Sequence, residues 1–319
     1  SGIAFAEGGR TAYLSCGAAA LAVPELDYTT AVALAFPRSP MTTAGIAWEL
    51  AEVSNGHFTL GLGSQVRAHI ERRYSAPFDP PGPRMREYVL ALRAIFRAFQ
   101  GLEKLHFEGE YYTFTLFNSQ WSPGRIAHPD IPIFISAVGP WMLRMAGEVC
   151  DGIHIHPFHS ADYLNTVVLP KVAEGAARAD RDLADIKLAI PVMTVVGDTE
   201  EERARARDRT RGQIAFYGST KNYVPVLAQH GFEDVSPRLN EAIKRGDTAA
   251  AAALVTDEML EQFAVVSSWD ELSDKLVDRY QGLADRIVLY FAFADWRRDP
   301  ATLGRWCEVA RDVIARTGR

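Results

Sequence analysis

An α/β fold wound as an eightfold strand–helix barrel is what this sequence predicts, on three observations. Strand-like runs recur at 3–7, 28–35, 58–63, 132–137, 152–156, 187–196 and 286–292, with helical segments between them. The runs are rich in Ile, Val, Leu and Phe and lack clean polar alternation, as strands covered on both faces do. A length of 319 residues with 48% hydrophobic content suits such a barrel, which typically needs about 250 residues in one domain. The whole span 1–319 is therefore read as a single barrel domain.

The helices between these strands carry their own start and stop signals. Ser39-Pro40 caps a helix with proline at its first position. Met41, Ala44, Ala47, Trp48 and Ala51 form its inner stripe, and Asn55-Gly56 ends it. From Arg84 to Gln100, Met85, Val89, Leu92, Phe96 and Phe99 follow helical spacing, and Gly101 stops the run. Further helices begin at Pro140 and near Ala161. Thr199 opens another, with Glu200, Glu201 and Glu202 where a helix dipole favours acids. Ser268 with Asp270, and Asp299-Pro300, begin two more.

Two segments are too long for ordinary loops. Within 102–131, the stretch His106–Phe114 alternates around Gly109 and reads as a β-hairpin insertion. The segment 212–262 contains helical runs and reads either as a helical insertion over the barrel mouth or as an elaboration supporting oligomerisation.

Composition excludes several roles. A net charge of −6 argues against a nucleic-acid or anionic-membrane binder, because phosphate contacts need a basic face. Cys16, Cys150 and Cys307 are far apart and form no CxxC, so neither a disulfide framework nor a zinc ribbon is indicated. That usage fits a reducing, cytoplasmic setting. No apolar run reaches the roughly 18 residues of a membrane span. Ala18–Val23 is too short for a signal peptide core and follows no basic segment.

The chemistry should sit at the carboxyl ends of the strands. Three segments run from apolar residues into small or helix-starting ones: Thr30–Pro40, Phe58–Gln65 and Ile133–Pro140. In the last, Ala137-Val138-Gly139-Pro140-Trp141 joins a glycine to a helix N-terminus, where free backbone N–H groups suit a phosphate. Gly61 and Gly63 offer places where a planar ring can approach the backbone. Gly152–Pro157 puts His154 and His156 on one strand face. Such a pair also occurs in metal-dependent barrel hydrolases, but no further His or Asp ligands at other strand ends complete a set, so no metal site is assigned.

The stretch Gly61-Leu62-Gly63-Ser64-Gln65-Val66-Arg67-Ala68-His69-Ile70-Glu71-Arg72-Arg73-Tyr74, with the other two strand ends in order, resembles the luciferase-like monooxygenase superfamily, most closely its coenzyme F420-dependent oxidoreductases. The resemblance implies a (β/α)8 TIM barrel of the bacterial luciferase type, with Gly2–Glu7 as its second strand and the first βα unit missing. It implies the cofactor F420, with FMN as the alternative, held by Ala31, Val32, Gly63, Ser64, Gln65, His69, Ala137, Val138, Gly139, Pro140, Trp141 and His156. Phosphate would lie at the Gly139 turn, His69 would face the deazaflavin, and a non-prolyl cis peptide is expected at Ala31–Val32. Arg67 or Arg72 would meet the anionic tail of the cofactor. Relatives place a catalytic His near the end of the second strand, yet no His lies between Ser1 and Phe36. Glu7 stands there as a substitute proton donor or as a structural carboxylate, and His69 is the other catalytic candidate. The implied activity is hydride transfer between the deazaflavin and a small organic substrate by a homodimer. A reduced-FMN monooxygenase and a catalytically silent cofactor-binding protein are the alternatives.

Overall fold

The protein is described here by a computed structural model of residues 1–318, which divide into two compact units. The first comprises 1–154 with 171–187, and the second 155–170 with the chain from Leu188 onward.

The first unit runs β1 (Gly2–Phe5), α1 (Ala12–Ala22), β2 (Asp27–Thr30), β3 (Ala33–Leu34), α2 (Pro40–Val53), β4 (Phe58–Gly63), α3 (Arg67–Arg73) and α4 (Pro81–Phe99). It continues through β5 (Phe107–Glu108), β6 (Thr113–Phe114), β7 (Ile133–Ser136), α5 (Pro140–Val149) and β8 (Gly152–His154), and takes in most of α6 (Leu169–Arg178). Its strands are parallel in the order β1-β2-β4-β7-β8, with β3 beside the far half of β4. The expected strand 28–35 is thus two pieces. β2 pairs with both β1 and β4, the chain steps out at Ala31 and Val32, and β3 pairs with β4 alone. The Ala31–Val32 peptide at the step is cis, as the resemblance implies.

The helix signals act as read. Ser39 Oγ accepts the Met41 N–H at 3.2 Å, Pro40 takes the first turn, and Ala44, Ala47, Trp48 and Ala51 are buried. Asn55 and Gly56, with φ of 51° and 85°, end α2 in the left-handed region. α4 begins three residues earlier than expected, at Pro81, because prolines also fit a first helical turn. Its buried Phe96 and Phe99 close on Trp48 with ring centroids 5.8 and 5.5 Å away, and Trp48 Nε1 donates to the Gly124 carbonyl at 2.9 Å. The predicted hairpin is present as antiparallel β5 and β6. Its tip is held by Glu87 of α4, whose carboxylate accepts the N–H groups of Glu110, Tyr111 and Tyr112 at 2.9, 2.7 and 2.6 Å.

The second unit contains β9 (Lys187–Val192), β10 (Thr194–Val196), α7 (Glu200–Gly218), α8 (Val224–Ala228), α9 (Val235–Lys244), α10 (Thr248–Ala253) and α11 (Asp257–Phe263). β11 (Val265–Ser267), α12 (Leu272–Tyr280), β12 (Arg286–Leu289), α13 (Ala292–Arg298) and α14 (Thr302–Thr317) follow. Here three expectations are corrected. The run 187–196 changes partner at Met193, so that β9 pairs in parallel with β12 while β10 pairs with β11. β11 itself escapes notice because three residues carry no periodicity. The run 286–292 stops at Leu289, since Ala292 already opens α13. α7 starts with a reciprocal capping box between Thr199 and Glu202, which the acidic first turn reinforces. The segment 212–262 is helical as expected, and buries Ile214, Leu227, Leu239, Ala251 and Phe263. Among the described residues no helix is long and apolar enough to cross a membrane.

Candidate functional site

In the first unit, strand register sets the site. Leu34 stands opposite Gly63, Leu62 opposite Ile135, and Ser136 opposite His154, so the carboxyl ends of β3, β4, β7 and β8 line up. Side chains of the preceding layer lock this edge. Thr30 Oγ1 donates to the Gly61 carbonyl at 2.6 Å and accepts the Gly61 N–H at 2.9 Å, clasping β2 to β4 where the ladder stops. Thr29 Oγ1 meets Nε2 of the buried His154 at 3.2 Å. His154 is thus a satisfied interior residue.

The glycines of β4 are also required by packing within the protein. A Cβ on Gly61 would lie 1.8 Å from the Thr30 carbonyl oxygen and 2.6 Å from His154 Nε2, and one on Gly63 would lie 2.5 Å from Val32 Cγ2. Both spaces are filled by the protein itself. Gly63 admits Val32, and a Cβ there would also lie 3.9 Å from Ser136 Cβ.

Glu7 lies two residues past β1 with its carboxylate nearly inaccessible, 6% exposed. It receives the Arg38 guanidinium on both oxygens and the Leu34 N–H at 2.7 Å. The pair ties the end of β3 and the segment after it to the loop after β1. Ser64 and Gln65 continue β4 into a turn in which Gln65 has φ 56° and its Oε1 accepts the Val66 N–H at 2.9 Å. α3 then buries Ile70 and leaves His69 exposed, its ring without a hydrogen bond among the described residues. Arg67 is committed to Asp79 and Glu71, whereas Arg72 has no ion pair among the described residues.

At the end of β7, Ala137 is buried, Val138 is half-buried, and the chain turns through exposed Gly139 and Pro140 into α5. The first helical bond runs from Leu143 N to the Gly139 carbonyl, at 3.0 Å, so the N–H groups of Trp141 and Met142 have no acceptor among the described residues. No side chain caps this end, and nothing lies within 4 Å of where a Gly139 Cβ would be. The result is an open helix N-terminus with two free donors and a positive dipole end, a ready seat for a phosphate. Trp141 folds its ring over Gly82 of α4, where a Cβ would fall 2.7 Å from it.

The second unit holds His156 in an aromatic group. Its ring stacks on Tyr223 with centroids 4.2 Å apart at 23°, and meets Tyr217 edge-on at 4.5 Å. His156 Nδ1 accepts the Phe158 N–H at 3.1 Å, so the proton of the neutral ring sits on Nε2. Burial, with His159 beside it, pushes its pKa down to about 3. His159 is buried deeper. Its Nδ1 donates to the His156 carbonyl at 2.9 Å, its Nε2 lies 3.2 Å from the Tyr280 hydroxyl, and burial lowers its pKa to about 4. Tyr217 also shares a hydroxyl–hydroxyl hydrogen bond with Tyr290, the residue after β12. The sequence reading missed His159, Tyr217, Tyr223 and Tyr290. Of these, only Tyr290 carried a usable signal, its place directly after a strand, and the overlong strand assignment hid it. No group of three or more His, Cys, Asp or Glu that could hold a metal occurs among the described residues.

The family model described as luciferase-like monooxygenase matches residues 2–286. The chain belongs to that family. Its similarity extends over 91% of the chain to an uncharacterized protein of Mycobacterium tuberculosis, 42% identical across 85% of that protein. A 5,10-methylenetetrahydromethanopterin reductase of Archaeoglobus fulgidus is 31% identical over 75% of the chain and 68% of its own length. The coenzyme F420-dependent tetrahydromethanopterin reductase of Methanopyrus kandleri superposes with a TM-score of 0.72, covering 89% of this chain and 83% of that one at 23% identity. That likeness shows the fold, so the luciferase-type α/β barrel read from the sequence stands. Family and relatives are oxidoreductases and monooxygenases, and the chain is a member of an enzyme family.

Proposed function

We propose that this family member is an F420-dependent oxidoreductase, moving a hydride between the deazaflavin and a small organic substrate. The observation that carries the reading is the uncapped N-terminus of α5 at Gly139, beside strand ends gathered around Val32, Gly63 and Ser136. The 31% identity to a methylenetetrahydromethanopterin reductase, together with the likeness to a coenzyme F420-dependent tetrahydromethanopterin reductase, supports F420 among the carriers the family uses. An anionic carrier fits this edge at its phosphate, where two free N–H groups and an empty Gly139 cradle are available. When bound, F420 supplies a two-electron hydride donor or acceptor.

The protein's own residues supply the rest. Trp141 and Met142 donate their N–H groups to phosphate, Val32 backs one face of a planar ring, and Ser64 and Gln65 hold the turn beside it. His69, exposed on α3, is assigned by resemblance as the group that faces the ring, and Arg72, which has no ion pair among the described residues, is assigned to the anionic tail. Glu7, with both oxygens engaged, positions β3 through Leu34 and Arg38. His156 is assigned to the carrier by resemblance.

Fluorescence titration of the cofactor-free protein tests the proposal. F420 is expected to bind saturably and more tightly than FMN. His69→Ala is expected to weaken F420 about tenfold, or roughly 1.4 kcal/mol, without moving the unfolding midpoint. Tight FMN binding with no F420 binding would turn the reading to the flavin-dependent monooxygenase that the family description names.

A further inference from the structure

We propose that the outer face of α1 is a self-association surface, on which a second copy of this chain lays its own α1 antiparallel across a two-fold axis. The inner face of α1 buries Ala12, Tyr13, Cys16 and Ala20. On the outer face Leu14, Ala18 and Leu21 recur at the spacing of one helical stripe. All three are exposed, Leu14 at 76% and Leu21 at 77% of full accessibility. A surface helix ordinarily turns charged residues to solvent. α1 has none to turn, because no charged side chain occurs from Thr11 through Pro24. A contiguous exposed stripe of this kind marks a contact surface.

The charges at the two ends of α1 decide what covers it. Arg10 precedes the helix and Glu25 follows it; both are exposed, and neither has an ion pair among the described residues. In sequence, Leu14 precedes Gly17 by as many positions as Leu21 follows Ala18, and Arg10 and Glu25 are likewise equidistant from that step. Two copies running antiparallel about the Gly17–Ala18 step therefore set Leu14 on Leu21 of the second copy, and Arg10 beside its Glu25. The two-fold axis repeats both contacts. Ala18 falls at the crossing, where a small side chain lets the helices close. A parallel arrangement would instead oppose like charges at both ends. A membrane surface fits less well, since an interfacial helix carries Lys or Arg on its polar face and α1 has neither.

One helix face is a small interface, at the low end of the sizes that hold partners together, so the dimer is expected to dissociate on dilution. The leucine contacts supply the attraction. The two end pairs, exposed to solvent, contribute chiefly by selecting the antiparallel register. α1 lies wholly within the first unit, and the surface is independent of which carrier the protein binds.

Sedimentation velocity over about 1–200 μM protein tests this. The wild type is expected to pass from monomer to dimer across that range. Leu14→Lys, at an exposed position, should leave the unfolding midpoint unchanged and hold the protein monomeric. Arg10→Glu and Glu25→Arg each place like charges together and should weaken association about tenfold at low salt. The double variant, and an equimolar mixture of the two single variants, should both regain it, because each restores opposite charges at the ends. A wild type that stays monomeric throughout overturns the proposal. So does dimerisation undiminished by Leu14→Lys, or a mixture of the two charge reversals that associates no better than its separate components.

Discussion

Gly61→Ala is expected to cost more than about 3 kcal/mol of stability, enough to remove most soluble protein at physiological temperature. The new methyl would sit 1.8 Å from the Thr30 carbonyl oxygen and 2.6 Å from His154 Nε2. Neither neighbour can yield. The Thr30 carbonyl is backbone of a strand paired on both sides, and Thr30 Oγ1 already clasps Gly61 twice. The His154 ring is buried and held by Thr29. Adding His154→Ala would clear the ring and leave the carbonyl clash, so the double variant should recover little. Urea unfolding midpoints of the single and double variants measure this. A Gly61→Ala protein within 1 kcal/mol of wild type would mean that the β2–β4 clasp is misdrawn.

The second large effect is loss of stability in mild acid. His156 and His159 are held neutral by burial, with pKa values lowered from 6.5 to about 3 and about 4. In the unfolded chain both titrate normally, so between about pH 6.5 and 4 that state binds more protons than the native one. Stability from these rings is complete above the unfolded value and is lost as pH falls through that window. The slope is at most about 1.4 kcal/mol per pH unit for each ring. Carboxylates lowered by ion pairs, such as Asp79, Glu103 and Glu174, lose their contribution only at lower pH, so the interval from pH 7 to 5 isolates the histidines. Thermal unfolding midpoints should fall across that interval, and His159→Gln should flatten the decline. A midpoint that holds or rises from pH 7 to 5 would show that these rings are not kept neutral.

How far the sequence could be read depended on whether a signal was local. β4 was read to the residue because Phe58–Gly63 is apolar throughout and bounded by turn residues on both sides. α2 was read from its cap and its terminating Asn55-Gly56 for the same reason. The break at Ala31–Val32 has no local signature in a run of Ala, Val and Leu, and only resemblance suggested it. The packing need for Gly61 and Gly63 was not legible, because what fills the space at a glycine is decided by other strands, here Thr30, His154 and Val32. Partner exchange at Met193 is invisible for a similar reason, since an unbroken apolar run does not say which strand lies beside it. The Tyr217–Tyr290 pair joins a helix end to a strand end distant in sequence, and no periodicity links them.

A crystal of the protein soaked with F420 tests the central claim most directly. The deazaflavin ring is expected against Val32 at the ends of β3 and β4, with phosphate within hydrogen-bond reach of the Trp141 and Met142 N–H groups. Density for F420 lying elsewhere, with the α5 N-terminus open to solvent, would contradict it.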